Sequence, residues 1–393
     1  MGRPADVAAR DFKPTLFNRI SAAIAAGAGA GRGDAPIALH VGDTWLDLPP
    51  ELGTPLAGED EPWAERLSRY GDTQGEPELR RRLVAKLRAR NALPVSDPRE
   101  IQVTFGSTGA LFLAMTRLLE PGDEILTLAP EWTMLKVVAS AARMRLVEVP
   151  CFDRLAVDPA GDLGGWLAAA LTPRTRAIYF NSPNNPTGVM LRRAQLEALA
   201  HFAREHDLWV LADEAYEDFV WCEEPYLSIA ALPDMFERTV SIFSASKSYA
   251  AAGLRLGYAA APRGVIATLN PGQVAAGYEP NRPAQVMAIR ALAAHDAIRG
   301  RLREIYRQGL EAALTTLRVP HLPADGGYYL FLDLRERWTG LGEDAKLERM
   351  LGAGVIVSPG EHFGADYDGW ARFCFTSEPP ERVAEAARRA NQL

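Results

Sequence analysis

Short, nearly unbroken apolar runs alternate along this chain with longer stretches in which apolar residues recur every three or four positions. EPELRRRLVAKLRAR (76–90) places Leu79, Leu83 and Leu87 at i, i+4 and i+8, which predicts a helix. IQVTF (101–105), EILTLAP (124–130), MRLVEVP (144–150), AIYFNSP (177–183), WVLADEA (209–215) and TVSIFSA (239–245) predict strands. Most are separated by helix-like segments, such as ALFLAMTRLL (110–119) and 192–206. Apolar strands alternating with helices imply βα repeats around a mostly parallel sheet, whose ligands collect at the carboxyl ends of the strands. After residue 286 the pattern changes. A long helical stretch (286–318) is followed by YYLFLDL (328–334), GVIVSP (354–359), ARFCFT (371–376) and a terminal helix, which predict a smaller α+β unit. Near the other end, AAIAAGAGAGRG (22–33) predicts the end of a short helix and a flexible small-residue connector. There is no internal repeat.

Composition narrows the function classes. Of 393 residues, 48% are hydrophobic and 24% charged, ordinary for a globular chain with a sizeable core; length alone suggests two or three domains. Lys and Arg number 43 against 50 Asp and Glu, a net charge of -7, which argues against a nucleic-acid or anionic-membrane surface. Three scattered cysteines give neither a disulfide framework nor a CxxC zinc site, and no metal site is expected. The first residues lack a secretory h-region and no apolar run reaches membrane-span length, so the expectation is a cytoplasmic α/β protein.

The strand ends carry the chemistry. In SIFSASKSYAAAGLRLGY (241–258), a strand delivers Ser244, Ser246 and Lys247, with Arg255 eight residues on. A lysine amine can form a Schiff base with an aldehyde, and serine with arginine can hold a dianionic phosphate. A surface lysine beside small residues is the plainer alternative. In WVLADEAYEDF (209–219), Asp213 ends an apolar strand, where a buried carboxylate needs a cationic partner such as a protonated pyridine nitrogen. Equally, Asp213 is suited to cap a following helix. NSPNNPTG (181–188) forms a turn able to present the Asn185 amide to a ligand oxygen. FGSTGALFLAM (105–115) sets Ser107 and Thr108 at a helix start, where freed N–H groups hold phosphate or are simply capped; it is not a P-loop.

Taken in order, YGDTQGEPELR (70–80), FGSTGAL, PEW (130–132), NSPNNPTG, ADEAY, SASK with Arg255, and ARFCF with Arg372 resemble the fold-type I, pyridoxal-phosphate-dependent aminotransferases of the class I/II, aspartate-aminotransferase-like group. The resemblance spans roughly residues 36–380. It implies an α/β fold with a three-layer large domain whose mostly parallel sheet binds the cofactor, at 50–285. A small α+β domain would combine the N-terminal arm (1–49) with 286–393. It implies that Lys247 forms the internal aldimine and then shuttles the proton, and that Asp213 keeps the pyridine nitrogen protonated. Asn185 and Tyr216 would hydrogen-bond ring O3′, and Trp132 would stack on the ring. Ser107, Thr108, Ser244, Arg255 and Ser246 would hold the phosphate. Tyr70 would reach the neighbouring subunit's phosphate, making a homodimer with shared sites. Arg372 would bind the substrate α-carboxylate, with Gly42 against it. The reaction implied is ping-pong transamination between an L-amino acid and a 2-oxo acid.

Gly42-Asp43-Thr44-Trp45 departs from the family's usual Gly-Glu-Pro or Gly-Asn-Pro, leaving Trp45 to line the substrate entrance; Thr133 replaces a frequent proline. Dicarboxylate-specific relatives bind the distal carboxylate with a second arginine donated by the other subunit; Arg282, in GYEPNRP (277–283), is in the region for that role, but an exposed loop arginine is the plainer reading. Tyr278, Trp45 and Phe17 are candidates for an aromatic pocket instead. A lyase, cyclase or oxidase on the same scaffold is the alternative activity. A ligand sensor fused to a DNA-binding domain would need a longer N-terminal extension. A non-catalytic paralogue would be expected to have lost Lys247 or Asp213.

Overall fold

The computed structural model describes residues 16–25, 36–53 and 69–393. Seven strands form the central sheet: β2 (Ile101–Phe105), β3 (Glu124–Ala129), β4 (Arg145–Pro150), β5 (Thr175–Asn181), β6 (Trp209–Asp213), β7 (Thr239–Ser244) and β8 (Leu256–Ala260). Their order is β2-β8-β7-β6-β5-β3-β4. β4, β3, β5, β6 and β7 run parallel to one another, whereas β8 runs antiparallel to both β7 and β2. The sequence pattern did not reveal β8. Its LGYAA is short and rich in small residues, and Gly257 is required there because a Cβ would lie 2.3 Å from the Ser107 nitrogen.

Alternation along the strands fills both faces. Leu126, Leu128, Ile178, Phe180 and Val210 pack on one side with Leu196 and Leu199 of the helix Arg193–Glu205. Ile125, Tyr179, Leu211, Val240 and Ile242 pack on the other with Leu111 and Met115 of the helix Gly106–Leu118. The result is the expected three-layer α/β arrangement.

A smaller α+β unit stands beside it. β9 (Tyr329–Asp333) and β11 (Ser358–Pro359) both pair antiparallel with β12 (Trp370–Cys374). β1 (Ile37–Ala38) pairs in parallel with β10 (Val355–Ile356), joining the N-terminal segment to the C-terminal part. The stretch read as one helix over 286–318 is two. Arg282–Ala293 is capped by the Asn281 side chain, and His295–Thr316 follows a break at Ala294. Leu16–Ala25 is the short N-terminal helix; the connector over 26–35 lies outside the described residues, as does the side chain of Phe17. Among the described residues no helix is long and apolar enough to cross a membrane.

Candidate active site

The carboxyl ends of β5, β6 and β7, the start of the helix Gly106–Leu118, and Arg372 on β12 converge on one cavity of about 330 Å³. Gly42, Ser107, Thr108, Trp132, Asn185, Asp213, Tyr216, Ser244, Ser246, Lys247, Arg255 and Arg372 all line it, although they are spread over 330 positions of sequence.

Asp213 closes one end. Its Oδ2 accepts from the Tyr179 hydroxyl at 3.1 Å and its Oδ1 from the Ala215 nitrogen at 3.2 Å. Residues 215–218 form a turn, so Asp213 does not cap a helix. Burial pushes its carboxyl up to about 6, against the pull of Tyr179, Ala215 and Lys247. Lys247, on the short helix Ala245–Ser248, donates from Nζ to the Gly42 carbonyl at 2.5 Å. Burial lowers its amine pKa first of all; Arg372 and Arg255 lower it further, opposed by Cys374 and Asp43. Desolvation thus outweighs neighbouring cationic charge in lowering this amine's pKa.

A phosphate-sized cradle lies at the other end. Gly106, with φ +70°, turns β2 into its helix, and a Cβ there would sit 2.8 Å from Arg255 Nη2. Arg255 itself adopts a left-handed conformation (φ 49°) and donates to the Ala252 carbonyl at 2.9 Å. The Ser107, Thr108, Ser244 and Ser246 side chains complete that wall. A helix start, four hydroxyls and a guanidinium fit a phosphate. A buried amine and, opposite it, a carboxylate held only by neutral donors fit the aldehyde and ring nitrogen of a pyridine aldehyde.

NSPNNPTG divides its labour. Asn181 donates to the Asp213 carbonyl at 2.8 Å and accepts from the Asn185 nitrogen at 2.7 Å, and Asn184 ties Thr187 to the Pro130 carbonyl. The Asn185 side chain is thereby turned into the cavity, where its Oδ1 accepts from Arg372 Nη1 at 2.8 Å. Arg372 is 4% exposed. It donates to the His40 carbonyl at 2.7 Å and lies over the Tyr329 and Phe363 rings at 4.6 and 5.0 Å. Among the described residues no carboxylate pairs with it, and its Nε has no hydrogen-bond partner. The structural ion pair that a lone strand arginine suggests is therefore not present.

Three residues stand elsewhere. Tyr70 is 81% exposed and its ring lies 4.7 Å from that of Tyr278, tilted by 51°, outside this cavity. Trp45 is half-exposed and does not line it; Val41 does. Arg282 is neither an exposed loop residue nor directed into the cavity: it opens a helix, is mostly buried, and pairs with Glu76. Sequence reasoning missed Tyr329, whose hydroxyl lies 2.7 Å from that of Tyr216, and Tyr179 beneath Asp213. Both sit in apolar strands, with no local signal beyond the polar hydroxyl.

Sheet topology and this lysine–carboxylate–cradle arrangement are those of a fold-type I pyridoxal-phosphate enzyme. Comparison with known proteins agrees. Residues 58–389 match the family "Aminotransferase class I and II". The chain is 33% identical to an aspartate aminotransferase of Pyrococcus abyssi over 83% of its own length and 84% of the relative's. It is also 33% identical to an arginine–pyruvate transaminase of Pseudomonas aeruginosa, over 91% and 90%. Among solved structures, Thermus thermophilus aspartate aminotransferase with maleate superposes with a TM-score of 0.84 at 30% identity, over 100% of this chain and 99% of that one. The chain belongs to the class I and II aminotransferases, pyridoxal-phosphate-dependent enzymes that move an amino group between amino and 2-oxo acids.

Proposed function

We propose that this enzyme transaminates an L-amino acid with an uncharged side chain, in two half-reactions at one site built on Lys247, Asp213 and Arg372. The observation that carries this reading is the buried Arg372, which pairs with no carboxylate among the described residues and faces the same cavity as Lys247. Amino-acid and 2-oxo-acid substrates share an α-carboxylate, so one two-pronged guanidinium serves both half-reactions. Bound pyridoxal phosphate supplies the electron sink that lets an amino acid lose its α-proton.

The chain's residues do the rest. Ser107, Thr108, Ser244, Ser246 and Arg255 bind the phosphate, and Trp132 packs on the ring. Asp213 holds a proton on the ring nitrogen. Asn185 and Tyr216 orient ring O3′. Lys247 Nζ would hold the cofactor's aldehyde end and, once freed by a substrate amine, would be the base that takes up the substrate α-proton and gives it back. Its lowered pKa suits it to act as base. Arg372 and Gly42 fix the carboxylate, which points the α-hydrogen at Lys247. Lys247, Arg255 and Arg372 are the only cations lining the cavity among the described residues, and each already has a role. The part of its wall that this chain supplies beyond them, with Val41, Thr133 and Met134, is uncharged, so a charge on the substrate side chain would have to be met by the neighbouring subunit. Tyr70 and Tyr278, in tilted contact on the surface, support a homodimer in which Tyr70 reaches the neighbour's phosphate.

The test is to load the protein with pyridoxal phosphate, reduce it with borohydride and map the adduct by peptide mass, then add single amino acids without an acceptor. An adduct on Lys247 and stoichiometric 2-oxo acid are expected, fastest from apolar or aromatic amino acids. Ammonia release would overturn transamination, and an adduct elsewhere would overturn the lysine's role.

A further inference from the structure

We propose that Tyr329 is a positioning residue that supplies the hydrogen bond making Tyr216 a one-way donor into the cavity, and that ties this donor to the carboxylate-binding Arg372. The inference rests on the reading of the site given above, and goes beyond it in assigning a residue from the smaller α+β unit to the cofactor's electronics.

Tyr329 opens β9 opposite Cys374 of β12, and Arg372 lies two residues before Cys374 on that strand. Its side chain is held on three sides. The hydroxyl lies 2.7 Å from the Tyr216 hydroxyl, with the two rings edge-on at 5.7 Å. The ring face lies 4.6 Å from the Arg372 guanidinium carbon. The hydroxyl also rests on Gly42, where a Cβ would come within 2.0 Å of it, so glycine at 42 leaves room for this phenol.

Two phenols that share one hydrogen bond must divide two protons: one is donated, the other is left for a third group. The charged and titratable groups around them decide which. Arg372 acts on both tyrosines and favours loss of their protons, whereas Asp213 opposes it at Tyr216 and Cys374 and Asp43 oppose it at Tyr329. Arg372 lies directly on the Tyr329 ring, and Asp213 acts from behind Tyr216, which makes Tyr329 the stronger acid and the donor of the shared bond. Burial keeps both phenols protonated, so Tyr216 accepts from Tyr329 and retains its own O–H. A hydroxyl that accepts one hydrogen bond gives a stronger one. Tyr216 lines the cavity, so its proton is available to ring O3′.

The test reads the pH midpoint of the visible absorbance of the holoenzyme, which falls as hydrogen bonding to O3′ strengthens. Tyr329→Phe keeps the ring beneath Arg372 and removes only the donor. The midpoint should rise by about half a pH unit or more. In a Tyr216→Phe background the same substitution should add nothing, because Tyr329 acts through Tyr216. Binding of an unreactive monocarboxylate should change by less than about threefold, since Arg372 keeps its aromatic support. Site-specific 3-fluorotyrosine at 329, a more acidic phenol of nearly unchanged shape, should move the midpoint down, and this arm stands even if Tyr329→Phe folds poorly. An unchanged midpoint with fluorotyrosine, or an equal shift with and without the Tyr216 hydroxyl, overturns the proposal. A Lys247 that fails to bind the cofactor at all would overturn the underlying reading of the site instead.

Discussion

Glu131 offers a test of the electrostatics beside the cavity that does not depend on turnover. It stands between Pro130 and the cavity residue Trp132, is 0% exposed, and neither carboxyl oxygen has a hydrogen-bond partner. Lys136 Nζ comes no closer than 3.5 Å, being held at 2.8 Å by Glu148. Burial, reinforced by Glu148, pushes the Glu131 carboxyl from its ordinary 4.5 up to about 8. A group with a raised folded-state pKa stabilises fully below its unfolded pKa, and that stability is lost as pH rises through the folded pKa. Between about 4.5 and 8 the native state therefore binds one proton more than the unfolded chain, and stability falls by about 1.4 kcal/mol per pH unit. Across the whole window that amounts to about 5 kcal/mol. Glu131→Gln keeps the volume and cannot ionise. Burial also raises Asp213 to about 6 and Glu214 to about 7, with the same sign, but both are common to the two proteins and cancel in the difference. Urea unfolding of the two proteins from pH 5 to pH 9 should show nearly equal stability at the acid end. Wild type should lose ground steadily towards pH 9, where the variant is the more stable by several kcal/mol. Parallel curves would refute the argument, because they would mean that Glu131 titrates normally.

Two further outcomes follow from the cavity. Arg372→Lys keeps the charge but loses the fork that faces the carboxylate, so initial-rate kinetics should show kcat/KM lower by about 10²- to 10³-fold with the cofactor still bound. Arg255→Ala removes the only guanidinium at the phosphate cradle among the described residues, and equilibrium dialysis should show pyridoxal phosphate bound about 10- to 100-fold more weakly.

What the sequence made legible follows from where information is local. Six strands of the central sheet were readable because each is a short run rich in apolar and β-branched residues, and the carboxyl ends of β5, β6 and β7 meet the ligand crevice. Lys247, Asp213 and Asn185 are such strand-end residues, which is why widely separated motifs converge on one cavity. β8 escaped because antiparallel insertion between β7 and β2 needs small residues rather than large apolar ones. The break at Ala294 escaped because apolar spacing carries on across two consecutive helices.

Contacts between the two parts of the chain were illegible for a different reason. The neighbours of Arg372 come from separate parts of the chain: the His40 carbonyl, the Asn185 amide, and the Tyr329 and Phe363 rings. None adjoins it in sequence, and backbone carbonyls and ring faces leave no trace in residue identity. YYLFLDL reads only as a strand, and alternation says that Tyr328 and Tyr329 face opposite ways without saying which one meets Tyr216 through its hydroxyl. That choice is made by the register of β9 on β12, which sets Tyr329 against Cys374 and Phe331 against Arg372. A one-residue slip in that pairing would turn Arg372 away from the cavity and leave its charge buried without the Asn185 amide or the aromatic faces, at a cost of several kcal/mol. The same register that buries the Phe331 and Phe373 side chains thus also fixes the guanidinium that lines the cavity, so here the packing of the smaller unit and the geometry of the site are one constraint.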